Sequence, residues 1–220
     1  MRRFSRNLWP GVLPLLALSA SVGAASLGEE DLVKALQSGG YVILMRHASS
    51  PRAAPEAARA NPDNPQHERQ LDDLGRTSAR SMGAAVRQLH IPIGQVLSSP
   101  TYRALETARL AQFASPKTYV ELGDAGHSMQ GDTSGERGTW IRSRVAAAPP
   151  RGTNTVIITH FPNVLEAFPE EARGLEDGEA LIFRPDGHGG AAFVARVKIE
   201  EWARWAGLPR WRSMPCCHGG

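Results

Sequence analysis

The stretch VILMRHASS, residues 42–50, is an apolar run that stops abruptly at Arg46 and His47. From Tyr41 to Met45 the residues have the character of a strand buried on both faces, the usual condition in a parallel sheet covered by helices. Such a strand has no use for an arginine and a histidine side by side. In open α/β sheets ligands bind just beyond the carboxyl ends of the strands, so a cationic pair there marks a candidate site. A solvated strand end with one salt bridge explains the pair equally well, and the rest of the chain has to decide.

Working outward, EEDLVKALQ at 29–37 suits a short amphipathic helix with acids at its start and Gly39-Gly40 as its stop signal. The segment 48–69 is rich in Pro and Ala and lacks helical or strand periodicity, so it reads as a long loop of the kind that is functional or mobile, a lid being one option. Apolar positions Leu71, Leu74, Met82, Val86 and Leu89 predict a helix over 71–90 that lies on the sheet. A strand is expected at Gln95–Ser98, a helix at Thr101–Phe113, a short strand at Tyr119–Leu122 and a helix around Glu136–Ala147. Thr155–Thr159 then repeats the opening pattern, an apolar β-branched run ending in a histidine, His160. EALIFRP and AAFVARVK, separated by the turn-rich DGHGG, read as a hairpin closing the sheet edge. A last helix is expected to pack Trp202, Trp205 and Trp211 on the body. The order of elements predicts an α/β three-layer sandwich with a mostly parallel central sheet.

The 220 residues include an N-terminal segment that resembles a secretory leader: Arg2, Arg3 and Arg6, then an apolar run from Val12 to Ala20, then small residues around Val22–Ala25. Residues 1–25 are therefore expected to be removed and 26–220 to form one domain, periplasmic or secreted. The apolar run is broken by Pro10 and Pro14 and is short for a bilayer span, so no stable membrane span is expected after cleavage. Cys216 and Cys217 are adjacent, which excludes a disulfide framework. The net charge of +3 is carried without a dense basic run, and no aromatic interleaving suggests base stacking, so nucleic acid is not an expected partner.

Three strand ends carry chemistry of one kind: Arg46-His47, then Ser98-Ser99-Pro100 followed by Arg103, then His160. Arginine forks match phosphate oxygens, and clustering them without carboxylate partners costs self-repulsion that an anionic ligand would relieve. A neutral imidazole is a competent nucleophile toward phosphorus, giving a phosphohistidine that water then hydrolyses. The surrounding cations would stabilise the equatorial oxygens during transfer, and a carboxylic acid would serve a departing alkoxide.

Leu44-Met45-Arg46-His47-Ala48, Ser98-Ser99-Pro100 with Tyr102-Arg103-Ala104 and Glu106-Thr107-Ala108, and Thr159-His160 resemble, in order, the three signatures of the histidine phosphatase superfamily, which includes phosphoglycerate mutases and bacterial phosphohistidine phosphatases. Leu71, Gly75 and Arg76 also fit the helix that follows the catalytic loop in that family. The resemblance implies a phosphoglycerate mutase-like fold, His47 as the phosphorylated nucleophile, Arg46, Arg103 and His160 as the phosphate cradle, and no cofactor. Glu106 would orient neighbours on its helix, and Ser98 and Ser99 would shape the strand end.

The chain departs from the pattern in two places. Phe161-Pro162-Asn163 stands where the family usually has a small residue, often glycine, after the second histidine, and the clear glutamate motif of the mutases is missing. Asp124 and Glu121 fall in the loop where a proton donor is expected, with Asp124 preferred. Neither HExxH nor clustered Cys/His spacing occurs, and arginines beside the principal histidines would repel a dication, so no metal is expected. Of the other histidines, His67 and His127 lie in loops near the expected site, while His90, His188 and His218 read as surface or turn residues. The expected activity is hydrolysis of a small phosphomonoester in the exported compartment, where an envelope sugar phosphate is one suitable substrate. Two alternatives stay open: a non-catalytic phosphate-binding module of the same fold, and a phosphohistidine-protein phosphatase.

Overall fold

The computed structural model describes residues 27–51, 69–124 and 136–209. The expected leader, most of the 48–69 loop with His67, the loop with His127, and the tail with Trp211, Cys216, Cys217 and His218 lie outside these residues. A first helix, α1 (Glu29–Ser38), starts with three acids and stops at Gly39, whose φ of 76° is a conformation that a side chain would strain. The chain then enters β1 (Val42–Arg46). Next come α2 (Asp73–Gln88), β2 (Ile93–Ser98), α3 (Tyr102–Leu110) and β3 (Lys117–Thr118). They are followed by α4 (Glu136–Val145), β4 (Asn154–Thr159), α5 (Phe161–Ala167), β5 (Ala180–Pro185), β6 (Ala191–Val197) and α6 (Ile199–Trp205).

The six strands form one sheet in the order β3-β2-β4-β1-β5-β6. β1 pairs in parallel with β4, β4 with β2 and β2 with β3, and the β5–β6 hairpin adds two antiparallel strands beside β1. Alternation along the strands explains the three layers. Ile43, Met45, Val96, Val156, Ile158 and Ile182 point to one face, where they meet Leu36, Met82, Val86, Ala108 and Trp202 of α1, α2, α3 and α6. Val42, Leu44, Leu97, Ile157 and Leu181 point to the other and meet Ile141, Val145 and Val164 of α4 and α5. Both faces of β1 and β4 are covered, which is why Val42–Met45 and Val156–Ile158 are apolar without a break.

One expectation needs correction. The strand expected at Tyr119–Leu122 is replaced by the two-residue β3 just before it and a 3-10 turn over Val120–Leu122. The apolar residues there serve different ends: Leu122 is fully buried while Val120 is 63% exposed, so the stretch turns off the sheet edge rather than extending it. Phe161-Pro162-Asn163 opens a helix, α5, with proline in its first turn, where the missing N–H costs no hydrogen bond.

One contact fixes the start of the loop after β1. Asp72 caps α2, one carboxylate oxygen accepting from the Gly75 amide at 2.7 Å and the other from the Ser49 hydroxyl at 2.8 Å. A Cβ on Gly75 would lie 2.0 Å from the Ser49 carbonyl oxygen, so only glycine lets α2 come this close.

Candidate active site

The strand ends of β2, β4 and β1 are neighbours, and the residues just past them converge. The His47 amide donates to the Thr159 carbonyl at 3.0 Å, which carries the β1–β4 ladder one residue further and brings His47 beside His160. Their ring centroids are 5.2 Å apart at 62°. Arg103, in the first turn of α3, reaches between them: its Nε donates to His47 Nε2 at 3.3 Å and its Nη2 to His160 Nδ1 at 3.2 Å.

Hydrogen bonding sets both tautomers. His47 Nδ1 lies 2.7 Å from the carbonyl oxygen of Ala48, which can only accept, so Nδ1 carries the proton and Nε2 keeps its lone pair. Ala48 is itself held, its amide donating to Thr107 Oγ1 at 3.1 Å while that hydroxyl donates to the Arg103 carbonyl at 2.8 Å. His160 accepts from Arg103 on Nδ1, so its Nε2 carries the proton and donates to Ser99 Oγ at 3.0 Å, with Thr101 Oγ1 at 3.3 Å. Ser99 thus binds the second histidine, and Ser98 turns its hydroxyl to the Ser99 carbonyl.

Both rings are buried beside cations, and both effects favour the neutral form. Burial, then Arg103, with smaller contributions from Arg46 and Arg69, push His47 down to about 3, although its bond to Ala48 opposes this. Burial, His47 and Arg103 likewise hold His160 well below the usual histidine range. At neutral pH both imidazoles are therefore uncharged.

The arginines are not free of carboxylates, contrary to the expectation from sequence. Arg103, 2% exposed, pairs with Asp124 at 2.8 Å, and Arg46 pairs with Asp177 at 2.6 Å. Arg46 also donates to the Leu175 carbonyl at 3.2 Å, and its guanidinium lies 5.8 Å from the Phe161 ring centre. Isolated arginines packed this closely would repel one another, and each aspartate offsets part of that repulsion. Asp124, the preferred proton donor, is thus brought into the site as the ion-pair partner of Arg103. Glu121 sits half-buried in the 3-10 turn, and Glu106 holds Arg109 of its own helix through two bonds of 2.6 Å. Asn163 ties α5 to Thr159 Oγ1 at 2.9 Å and to the Gly123 carbonyl, so the segment after the second histidine also holds the backbone next to Asp124.

Sequence reading missed a third cation. Arg69 closes the base of the long loop, donating to the Ser50 carbonyl at 3.2 Å, and its field reaches both histidines. Burial, then Arg103, weaken its hold on its own proton, while Asp177 and Asp124 oppose Arg103. Arg69 Nε and Arg103 Nη1 are buried without a hydrogen-bond partner among the described residues. Buried N–H donors with nothing to bind are costly, and two of them in a three-arginine cluster define a place for an oxyanion. Among the described residues no group of three or more His, Cys, Asp or Glu could hold a metal ion.

Residues 42–125 match the family model of the histidine phosphatase superfamily, branch 1. Over this stretch, less than half of its length, the chain is similar to the histidine phosphatase superfamily. The match spans β1 to the residue after Asp124, and the parallel β1–β4 pair brings in His160 from beyond it. Solved structures with the same fold include the protein histidine phosphatase SixA complexed with tungstate, at 19% identity and a TM-score of 0.52, covering 72% of this chain and 97% of that one. A candidate alpha-ribazole-5'-P phosphatase of Escherichia coli K-12 matches at 13% identity and a TM-score of 0.53 over 73% of this chain and 98% of that one. A SixA candidate from Agrobacterium tumefaciens matches at 14% and 0.51, over 72% and 98%. No curated protein sequence matches the chain significantly. These neighbours have a phosphoglycerate mutase-like architecture, and at such identities they speak to the fold alone.

Proposed function

We propose that the protein is an exported phosphohydrolase in which His47 Nε2 attacks the phosphorus of a small phosphomonoester. The observation that carries this reading is the bond from His47 Nδ1 to the Ala48 carbonyl, which leaves the Nε2 lone pair among Arg46, Arg69 and Arg103. The P–O bond to the leaving group breaks as the Nε2–P bond forms, and the departing oxygen takes a proton. Water then attacks the phosphohistidine, the N–P bond breaks, phosphate leaves and Nε2 recovers its lone pair. The arginines bind the non-bridging oxygens and stabilise the charge they develop in the transition state. His160, neutral and hydrogen-bonded to Ser99, lines the same space and fixes Arg103. Export rests on the leader-like residues 1–25, and a periplasmic or secreted location makes envelope sugar phosphates suitable substrates.

A second reading has an observation of its own. Asp124 is tied to Arg103, which favours leaving groups that need little help from an acid, such as the imidazole of a phosphohistidine protein. One experiment weighs these readings. The purified protein is assayed with excess EDTA on p-nitrophenyl phosphate and on phosphoramidate, beside His47→Ala. Turnover that survives EDTA and vanishes in the variant, with a covalent phosphoenzyme in the wild type, is the expected result. Vanadate binding without turnover on either compound would refute the phosphohydrolase and point to a binding module. Turnover confined to phosphoramidate would move the assignment to N–P bonds.

A further inference from the structure

On the outer hairpin, Arg196 of β6 and Glu179, the residue before β5, form a two-bond ion pair, Nε–Oε1 at 2.5 Å and Nη2–Oε2 at 2.6 Å. Glu179 is 2% exposed, an unusual place for a carboxylate whose partner is a surface arginine. Both groups respond to the contact: Arg196 holds its proton more tightly, and Glu179 is held below the usual carboxylate range despite the opposing effect of burial. Stability alone does not call for such a pair, since replacing buried ion pairs by well-packed apolar residues is often neutral.

What the pair does locally is hold the segment 173–179. Arg196 also donates to the carbonyls of Arg173 and Gly174, each at 2.7 Å, and Glu179 accepts from the Glu176 amide at 2.7 Å. This segment is the outer wall of the phosphate cradle. It carries Asp177 and the Leu175 carbonyl, both bonded to the Arg46 guanidinium. Its backbone also brackets the nucleophile, with the Arg46 amide donating to the Glu179 carbonyl at 3.1 Å and the Gly178 amide to the His47 carbonyl at 2.9 Å. Gly178 has φ of 73°, and a Cβ there would lie 2.5 Å from Ile199 Cδ1, so this turn takes no side chain at that position.

We infer that Arg196 and Glu179 are positioning residues, which hold the 173–179 segment so that Asp177 and the Leu175 carbonyl aim the Arg46 guanidinium at the substrate phosphoryl group. The proposal rests on the phosphate-site reading above. Lysine at 196 keeps the charge but has no fork for two carboxylate oxygens and two carbonyls.

The test is a double-mutant cycle read by orthovanadate binding to the full chain, with Arg196→Lys, Arg46→Lys and the double variant, and urea unfolding of each. Arg196→Lys is expected to weaken vanadate binding about tenfold, within the range for coupled neighbours, but by less than about twofold once Arg46 is lysine. KM for a phosphoryl substrate should rise with it more than kcat falls. Glu179→Gln, which preserves shape and loses the charge, should repeat the pattern and covers the case that Arg196→Lys folds poorly. Equal weakening in both Arg46 backgrounds, or none in either, overturns the proposal. Absence of vanadate binding in the wild type would instead overturn the phosphate-site reading itself, and this proposal with it.

Discussion

Lowering the pH from 7 to 5 is expected to cost the folded protein about 2 kcal/mol through His47 alone. The unfolded chain offers this ring an ordinary pKa near 6.5, whereas burial and Arg103 hold it at about 3 in the fold. Between those two values the unfolded state takes up a proton that the folded state refuses, so stability falls as pH falls, and the loss is complete only near pH 3. At pH 5 the unfolded ring is 1.5 units below its pKa, which at 1.36 kcal/mol per unit gives about 2 kcal/mol; at pH 7 the same term is about 0.2. His160 acts in the same direction, because its pKa is also lowered. Urea unfolding followed by tryptophan fluorescence, in a buffer free of phosphate, measures the effect in the wild type and in His47→Gln. With a slope of about 2 kcal/mol per molar urea, the wild-type midpoint should drop by roughly 1 M more than that of the variant between the two pH values. An identical pH dependence in both proteins would refute the claim that His47 is held neutral by its surroundings.

Asp124→Asn removes the buried counter-charge of Arg103 and should destabilise the apo protein by about 3–5 kcal/mol, with added phosphate restoring more stability than it adds to the wild type, as thermal melts with and without phosphate would record. Gly75→Ala forces α2 away from the Ser49 carbonyl and should cost about 1–3 kcal/mol while lowering kcat/KM, since residues 48–50 must move; unchanged kinetics would show that this contact does not set the loop. Thr107→Val leaves the Ala48 amide without its acceptor, and a loss of about 1–3 kcal/mol in urea unfolding is expected, with slower phosphoenzyme formation.

Much of the architecture was legible because β1 and β4 are covered on both faces and so read as uninterrupted apolar runs, each ending in a polar residue with nowhere to hide. Arg46, His47 and His160 followed from those ends, and Arg103 from the helix start after β2. The two-residue β3 was not legible, since Lys117 and Thr118 are exposed at the sheet edge and carry no alternation. The helix α5 is short and begins with Phe161-Pro162, which reads as a loop unless the strand before it is already placed. Asp177 and Glu179 escaped for a different reason. Asp177 meets Arg46 across the β1–β5 pairing, far along the chain, and an acidic turn such as EDGE has the local pattern of a solvated loop. Arg69 was obscured in the same way, at the far end of a Pro- and Ala-rich stretch whose two stems meet only in three dimensions.

The proton on His47 is placed by a main-chain carbonyl, that of the next residue, and not by a side chain. Many catalytic imidazoles depend on a neighbouring carboxylate for the same service, and one codon change there can remove it. Here every amino acid at position 48 brings the same oxygen, provided it fits a site where Ala48 is fully buried. The orientation of this imidazole, the nucleophile of the proposed reaction, is therefore inherited with the backbone, and variation among descendants of this chain is free to act on the surrounding arginines and walls while Nε2 stays as it is.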